Sequence, residues 1–202
     1  VRLVSEAVET FKGLMSGEPI DATDKGPKEI RVDLPVDAHI PEAYINSERL
    51  RLEVYRKLAE ARDDDHLRAA ADEMVDRFGP LPVEVEHLMA VARLRNQARA
   101  VGVADILTQG TRIKLHPAEL PDSKQVRLKR LYAGANYRAA AKTVQLPMPR
   151  ESKAINSPNL RDMELLQWVA DVLTDLLDAP KVSVAGSTAA EEKPKKVFSV
   201  SE

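Results

Sequence analysis

The chain has 202 residues, 44% of them hydrophobic, with no cysteine and a formal net charge of −2. That apolar content suffices for one core of ordinary domain size, and the missing thiols exclude disulfides, thiolate metal sites and cysteine nucleophiles, which fits a reducing cytoplasm. A near-neutral balance supplies no global attraction to nucleic acid or anionic lipid, and no run of ~20 apolar residues is present to cross a bilayer.

No charged-then-apolar leader opens the sequence, so an unexported protein is expected. The first residue is Val1 rather than Met, which fits a piece of a longer polypeptide or a processed start. Leu3, Val4, Ala7, Val8 and Phe11 recur at helical spacing and predict a short amphipathic helix ended by Gly13 and Gly17. Residues 1–17 therefore form one unit, and 18–28, rich in Gly, Pro and Asp, form a connector. The main domain is expected over 29–178. Ile30, Val32 and Leu34 alternate with charged neighbours as in a half-buried strand, which Pro35 closes. Asn46 or Ser47 then caps a helix whose seam is Leu50, Val54, Leu58 and Ala61, widened by Tyr55.

Asp63-Asp64-Asp65 is a charged turn. Its adjacent carboxylates point in different directions, which favours a solvated loop over a cation cage. The following helix, Asp65 to Phe78, places Leu67, Ala70, Ala71, Met74, Val75 and Phe78 on one side. Gly79 suits a left-handed cap, Pro80 stops the helix, and Pro82 starts the next. On the opposite side Glu73, Asp76 and Arg77 share a neighbourhood with Asp65 and Asp72. Such a face is either a solvated surface or a docking patch for a basic partner, and pattern alone does not choose.

The helix from Val83 to Val101 turns Leu88, Val91, Leu94, Ala98 and Val101 inward and Arg93, Arg95, Asn96 and Arg99 outward. Strands are expected at Gly110–His116 and Lys142–Leu146, separated by a helix from Leu120 to Tyr132 carrying Val126, Leu128 and Leu131. The last helix, built on Leu160, Met163, Leu166, Val169, Leu173 and Leu176, is apolar enough to belong to the core or to an assembly interface. Residues 179–202 hold too little apolar matter to offset ordering and are expected as a disordered tail. The fold class is α+β: a small antiparallel or mixed sheet flanked by several amphipathic helices.

No glycine-rich phosphate loop occurs, and His39, His66, His87 and His116 have no second ligand at i+3 or i+4. No Ser or Lys has an identifiable activating neighbour. No catalytic, cofactor or metal residue is expected. Lys124, Arg127, Lys129 and Arg130 open a locally basic segment reaching Lys153, with Tyr132 and Tyr137 nearby, so phosphate contact by a nonspecific nucleic-acid-binding module is the alternative function.

Four blocks in order carry a resemblance: Asp37-Ala38-His39-Ile40-Pro41-Glu42-Ala43-Tyr44-Ile45; Arg49 to Ala59; Val75-Asp76-Arg77-Phe78-Gly79-Pro80-Leu81-Pro82; and Ala92-Arg93-Leu94. Their order and spacing resemble the C-terminal domain of the bacterial transcription-repair coupling factors (Mfd). The resemblance runs from about Glu29 to Asp178 and is densest from Leu34 to Gly102. It implies a non-catalytic, autoinhibitory domain of an ATP-dependent DNA translocase that acts on RNA polymerase. Such a domain docks on the UvrB-like amino-terminal module of its own protein and masks the surface that binds UvrA. The docking positions implied by the resemblance are Glu73, Asp76 and Arg77.

Overall fold

Ile106, Ile113, Leu115, Val144 and Leu146 all fall on the buried face of one five-stranded sheet. The computed structural model describes residues 30–152 and 157–185. The helix expected within 1–17, the connector at 18–28, Lys153 and the end of the tail lie outside the described residues.

The elements in chain order are β1 (Arg31–Asp33), α1 (Glu48–Glu60), α2 (Asp64–Phe78), α3 (Val83–Ala100), β2 (Asp105–Gln109), β3 (Arg112–His116), α4 (Asp122–Leu131), β4 (Asn136–Arg138), β5 (Thr143–Pro147) and α5 (Asp162–Leu177). The sheet order is β1-β2-β3-β5-β4, with β1 parallel to β2 and every other pair antiparallel. The fold is α+β with a mixed sheet. Three expected strands have become five. Within β2 only Ile106 is buried, and β4 has just three residues, so neither offers a clean period of two. A two-residue turn at Gly110-Thr111 joins β2 to β3, and Gly110 takes φ +60°, as such tight hairpins require.

Two hydrophobic clusters share α3. Val91, Leu94 and Ala98 face the sheet and α5, whereas Val85, Leu88, Met89 and Ala92 face α1 and α2. Being covered on both sides, α3 has few outward positions. The expectation that Arg93, Arg95, Asn96 and Arg99 stand outside is therefore corrected. Each is partly buried, and the Arg93 side chain is only 11% exposed. Burial, with Arg62 nearby, lowers the Arg99 pKa.

The last helix belongs to the core, with Leu165, Leu166, Val172 and Leu173 fully buried. Packing continues beyond Asp178, where the tail was expected to begin, because Ala179 and Val184 are buried as well. The segment is secured by side chains rather than by periodicity. Gln97 Nε2 donates to the Pro180 carbonyl at 2.9 Å, and the Gln167 amide both donates to Val182 O and accepts from Val184 N.

Candidate docking surface

Helix α2 starts where Asp63 adopts an extended N-cap and its carboxylate accepts from His66 N at 2.9 Å. That backbone bond, reinforced by the His66 ring, lowers the Asp63 pKa. At the other end Gly79, with φ +90°, donates its N–H to Val75 O at 2.9 Å. The Tyr44 hydroxyl lies 2.8 Å from Gly79 O and 3.2 Å from Met74 O, and the Tyr44 ring meets Phe78 edge-on. Both ends of the helix are thus pinned, which makes its outer face a rigid platform.

Leu67, Ala70 and Met74 face inward. Val75, expected in the same stripe, is 45% exposed and sits between Asp72 and Asp76 on the outer face. The expected stripe was too wide, because the neighbouring helices cover only its centre.

The three residues singled out on this helix divide into two groups. Glu73 is ion-paired to Lys57 of α1 and to Arg77, whose Nη1 donates to its Oε1 at 3.1 Å. The Lys57 hydrogen bond, followed by that from Arg77, lowers the Glu73 pKa. Arg77 also lies 5.1 Å over the Phe78 ring. Asp76 takes no part in this chain of charges: it is exposed and, like Asp72, forms no ion pair among the described residues. The inner edge is held by Arg93, which donates to Asp64 Oδ1 at 2.7 Å. Arg93, Lys57 and Tyr44 were not singled out from the sequence. Lys57 and Arg93 come from other helices, so no spacing within α2 reveals them.

The basic candidates divide too. Lys124 is ion-paired to Asp178 and Arg127 to Asp175. Lys129 and Arg130 are exposed and form no ion pair among the described residues. Tyr132 donates to Asp175 Oδ2 at 2.8 Å and packs edge-on against Trp168; its pKa is raised, first by burial. Tyr137 accepts from Leu120 N at 3.2 Å. Both tyrosines are engaged in holding the fold. Val126 and Leu131 of α4 are exposed, whereas Leu128 is buried.

The histidines are dispersed: His39 contacts Asp37, His66 contacts Asp63, His116 lies near Thr143, and buried His87 reaches Asp37 O. A cleft of about 600 Å³ opens between the ends of α3 and α5, bordered by the Lys124–Asp178 and Lys142–Glu119 pairs. Its lysines are thus already neutralised.

Residues 34–129 match the TRCF domain family model. The chain is 47% identical over 186 residues, 90% of its length, to the transcription-repair-coupling factors of Mycobacterium bovis and Mycobacterium tuberculosis. The chain belongs to the transcription-repair-coupling factor family. A factor of this family from Staphylococcus epidermidis is 34% identical over 114 residues, which cover 56% of the chain. The fold is similar to the crystal structure of the C-terminal domain of a transcription-repair coupling factor. That match has a TM-score of 0.53 and 16% identity, and it covers 62% of this chain and 83% of that one. The chain spans 15% of the length of the mycobacterial transcription-repair-coupling factors. Of the acidic platform, α2 lies wholly within the matched TRCF domain.

Proposed function

We propose that this chain is the non-catalytic, autoinhibitory C-terminal domain of a transcription-repair coupling factor. It docks through the outer face of α2 onto the UvrB-like amino-terminal module of the same polypeptide and masks the surface that module offers to UvrA. The parent is a DNA translocase acting with RNA polymerase in transcription-coupled repair.

The observation that carries this reading is the outer face itself. Asp72 and Asp76 are exposed, form no ion pair among the described residues and flank an exposed valine on a helix pinned at both ends. Glu73 and Arg77 support that face, since their charges already satisfy one another. A docked state favoured by ~1–3 kcal/mol lowers apparent UvrA affinity by ~5- to 150-fold. Exposed ion pairs contribute only ~0–1 kcal/mol each, so several pairs together with Val75 hold the clamp while leaving it openable.

In the full-length factor, Asp72→Lys with Asp76→Lys is expected to raise UvrA affinity several-fold and to leave the domain folded. Unchanged UvrA affinity in a folded variant overturns the proposal. The nucleic-acid alternative predicts duplex binding that falls steeply with salt and disappears on neutralising Lys129 and Arg130. The internal pairing of Lys124 and Arg127 removes half of the basic set on which that alternative rests.

A further inference from the structure

Past the end of α5 the chain turns back along the groove between α3 and α5. Pro180 O accepts from Gln97 Nε2 at 2.9 Å, Val182 O from Gln167 Nε2 at 3.2 Å and Val184 O from Arg93 Nη1 at 3.0 Å. The Val184 N–H donates to Gln167 Oε1 at 3.0 Å. Carbonyls at every second residue thus meet side chains of the two helices, as in an extended chain. Exposure alternates in step: Val182 is partly buried and Val184 fully buried, whereas Lys181 and Ser183 are exposed. Arg93 and Gln97 lie one turn apart on α3, so the groove presents a row of groups that read a backbone.

What holds this segment is separable from the rest of the fold. Among the described residues no backbone–backbone hydrogen bond reaches 180–185, and Val184 is the one fully buried side chain in the stretch. The burial of a single valine is set against the entropy of ordering a segment most of whose residues face water. The fit is also incomplete. Gln97 is only 2% exposed, and its Oε1 takes no hydrogen bond among the described residues. Gln97, Gln167 and Arg93 need a main chain beside them, and the chemistry they offer is common to any extended backbone.

We propose that the groove between α3 and α5 is a peptide-binding site and that residues 180–184 are its occupant in cis. The partner is an extended segment of another protein with β-branched residues two positions apart, the second seated where Val184 sits. Gln97, Gln167 and Arg93 supply the main-chain hydrogen bonds that give affinity, and the Val184 pocket selects a side chain of that size and apolarity. Its tether holds the cis segment at ~mM effective concentration, so the partner enters by competing with it and the groove is closed until then.

The probe is a peptide of residues 179–185, Ala-Pro-Lys-Val-Ser-Val-Ala, blocked at both ends. Val184→Lys in the complete 202-residue chain sets a cation against Arg93 and unseats the cis segment. In NMR titrations the peptide is expected to bind this variant at least ~10-fold more tightly than the parent chain and to shift the side-chain amides of Gln97 and Gln167. The same peptide carrying Val184→Lys is expected not to bind. Equal binding to both chains, no binding to the variant, or shifts confined to α2 or to the sheet overturn the site. Failure of the variant chain to fold overturns it too, because a segment able to leave carries its new charge into water.

The parent chain supplies a second measurement. Its Val184 amide is expected to exchange through local opening, ~100-fold or more faster than the amides of buried Val172 and Leu173. Equal rates mean that the segment opens only when the whole domain unfolds, and they overturn the proposal. By light scattering the parent and the variant are each expected at the mass of one copy, 22.4 kDa. A dimer of the parent that disappears in Val184→Lys assigns the groove to residues 180–184 of a second copy and overturns the partner.

Discussion

Arg93 donates through Nε to Asp64 at 2.7 Å and through Nη1 to the carbonyl of Val184 at 3.0 Å. One nearly buried guanidinium from the central helix thus joins the start of the acidic helix to the segment after the last helix. Charge-assisted hydrogen bonds contribute ~1.5–3 kcal/mol, but Asp64 is half exposed and solvent weakens its share. Arg93→Met is expected to destabilise the fold by ~1–2 kcal/mol in urea titrations. It should also raise hydrogen exchange at Val184 and at the first turn of α2 together. Exchange that rises at only one of these places would show that the arginine does not couple them.

Gln97 is a buried amide whose Nε2 faces three acceptors: Ala170 O at 3.0 Å, Thr174 Oγ1 at 3.1 Å and Pro180 O at 2.9 Å. Gln97→Glu keeps the shape and removes the donor, placing a carboxylate against three oxygens. A loss of at least ~3 kcal/mol at neutral pH is expected, because a buried group left without its partner incurs most of its desolvation cost. Gln97→Leu removes the polar group altogether and is expected to cost less, ~1–3 kcal/mol. Chemical denaturation of the two variants gives the order directly.

Met74 and Val75 are adjacent yet lie on opposite sides of α2. Met74 is buried, so Met74→Ala is expected to cost ~2–5 kcal/mol through the cavity it leaves. Val75→Ala should stay within ~0.5 kcal/mol of the parent in stability. Under the docking proposal the same variant is expected to associate more weakly with the amino-terminal module at an unchanged midpoint of unfolding.

Acid acts on α2 through Glu73 and Asp63. Both folded-state pKa values lie below the ordinary values of 4.5 and 3.8, Glu73 through Lys57 and Arg77, and Asp63 through the backbone and ring of His66. A depressed carboxylate adds stability that is complete above its unfolded value and is lost as pH falls through its folded value. Stability is therefore expected to be flat with respect to these two groups near neutrality and to decline below about pH 4. Glu73→Gln should remove part of that decline. A carbonyl-carbon NMR titration that found Glu73 at or above 4.5 would contradict the assignment.

Much of the architecture is local and was legible from residue order alone. Helical spacing located α1, α2, α3 and α5, Gly79 marked the corner at which α2 ends, and alternation located β1, β3 and β5. The pairing of Glu73 with Arg77 followed from the same i+4 geometry. These features depend on backbone dihedrals and on neighbours within one turn, and the sequence carries that information directly.

Tertiary structure decided which parts of each face are covered and which charges are already matched. Val75 is outside because α1 and α3 reach only the middle of its stripe, and Arg93 is inside because α3 is packed from both sides. Strands β2 and β4 exist because β3 and β5 offer them edges, their own patterns being too short to announce them. Residues 179–185 pack because Gln97, Gln167 and Arg93, distant in sequence, supply the donors and acceptor their backbone needs. Pairing of this kind depends on contacts between remote segments, and local periodicity holds no record of them.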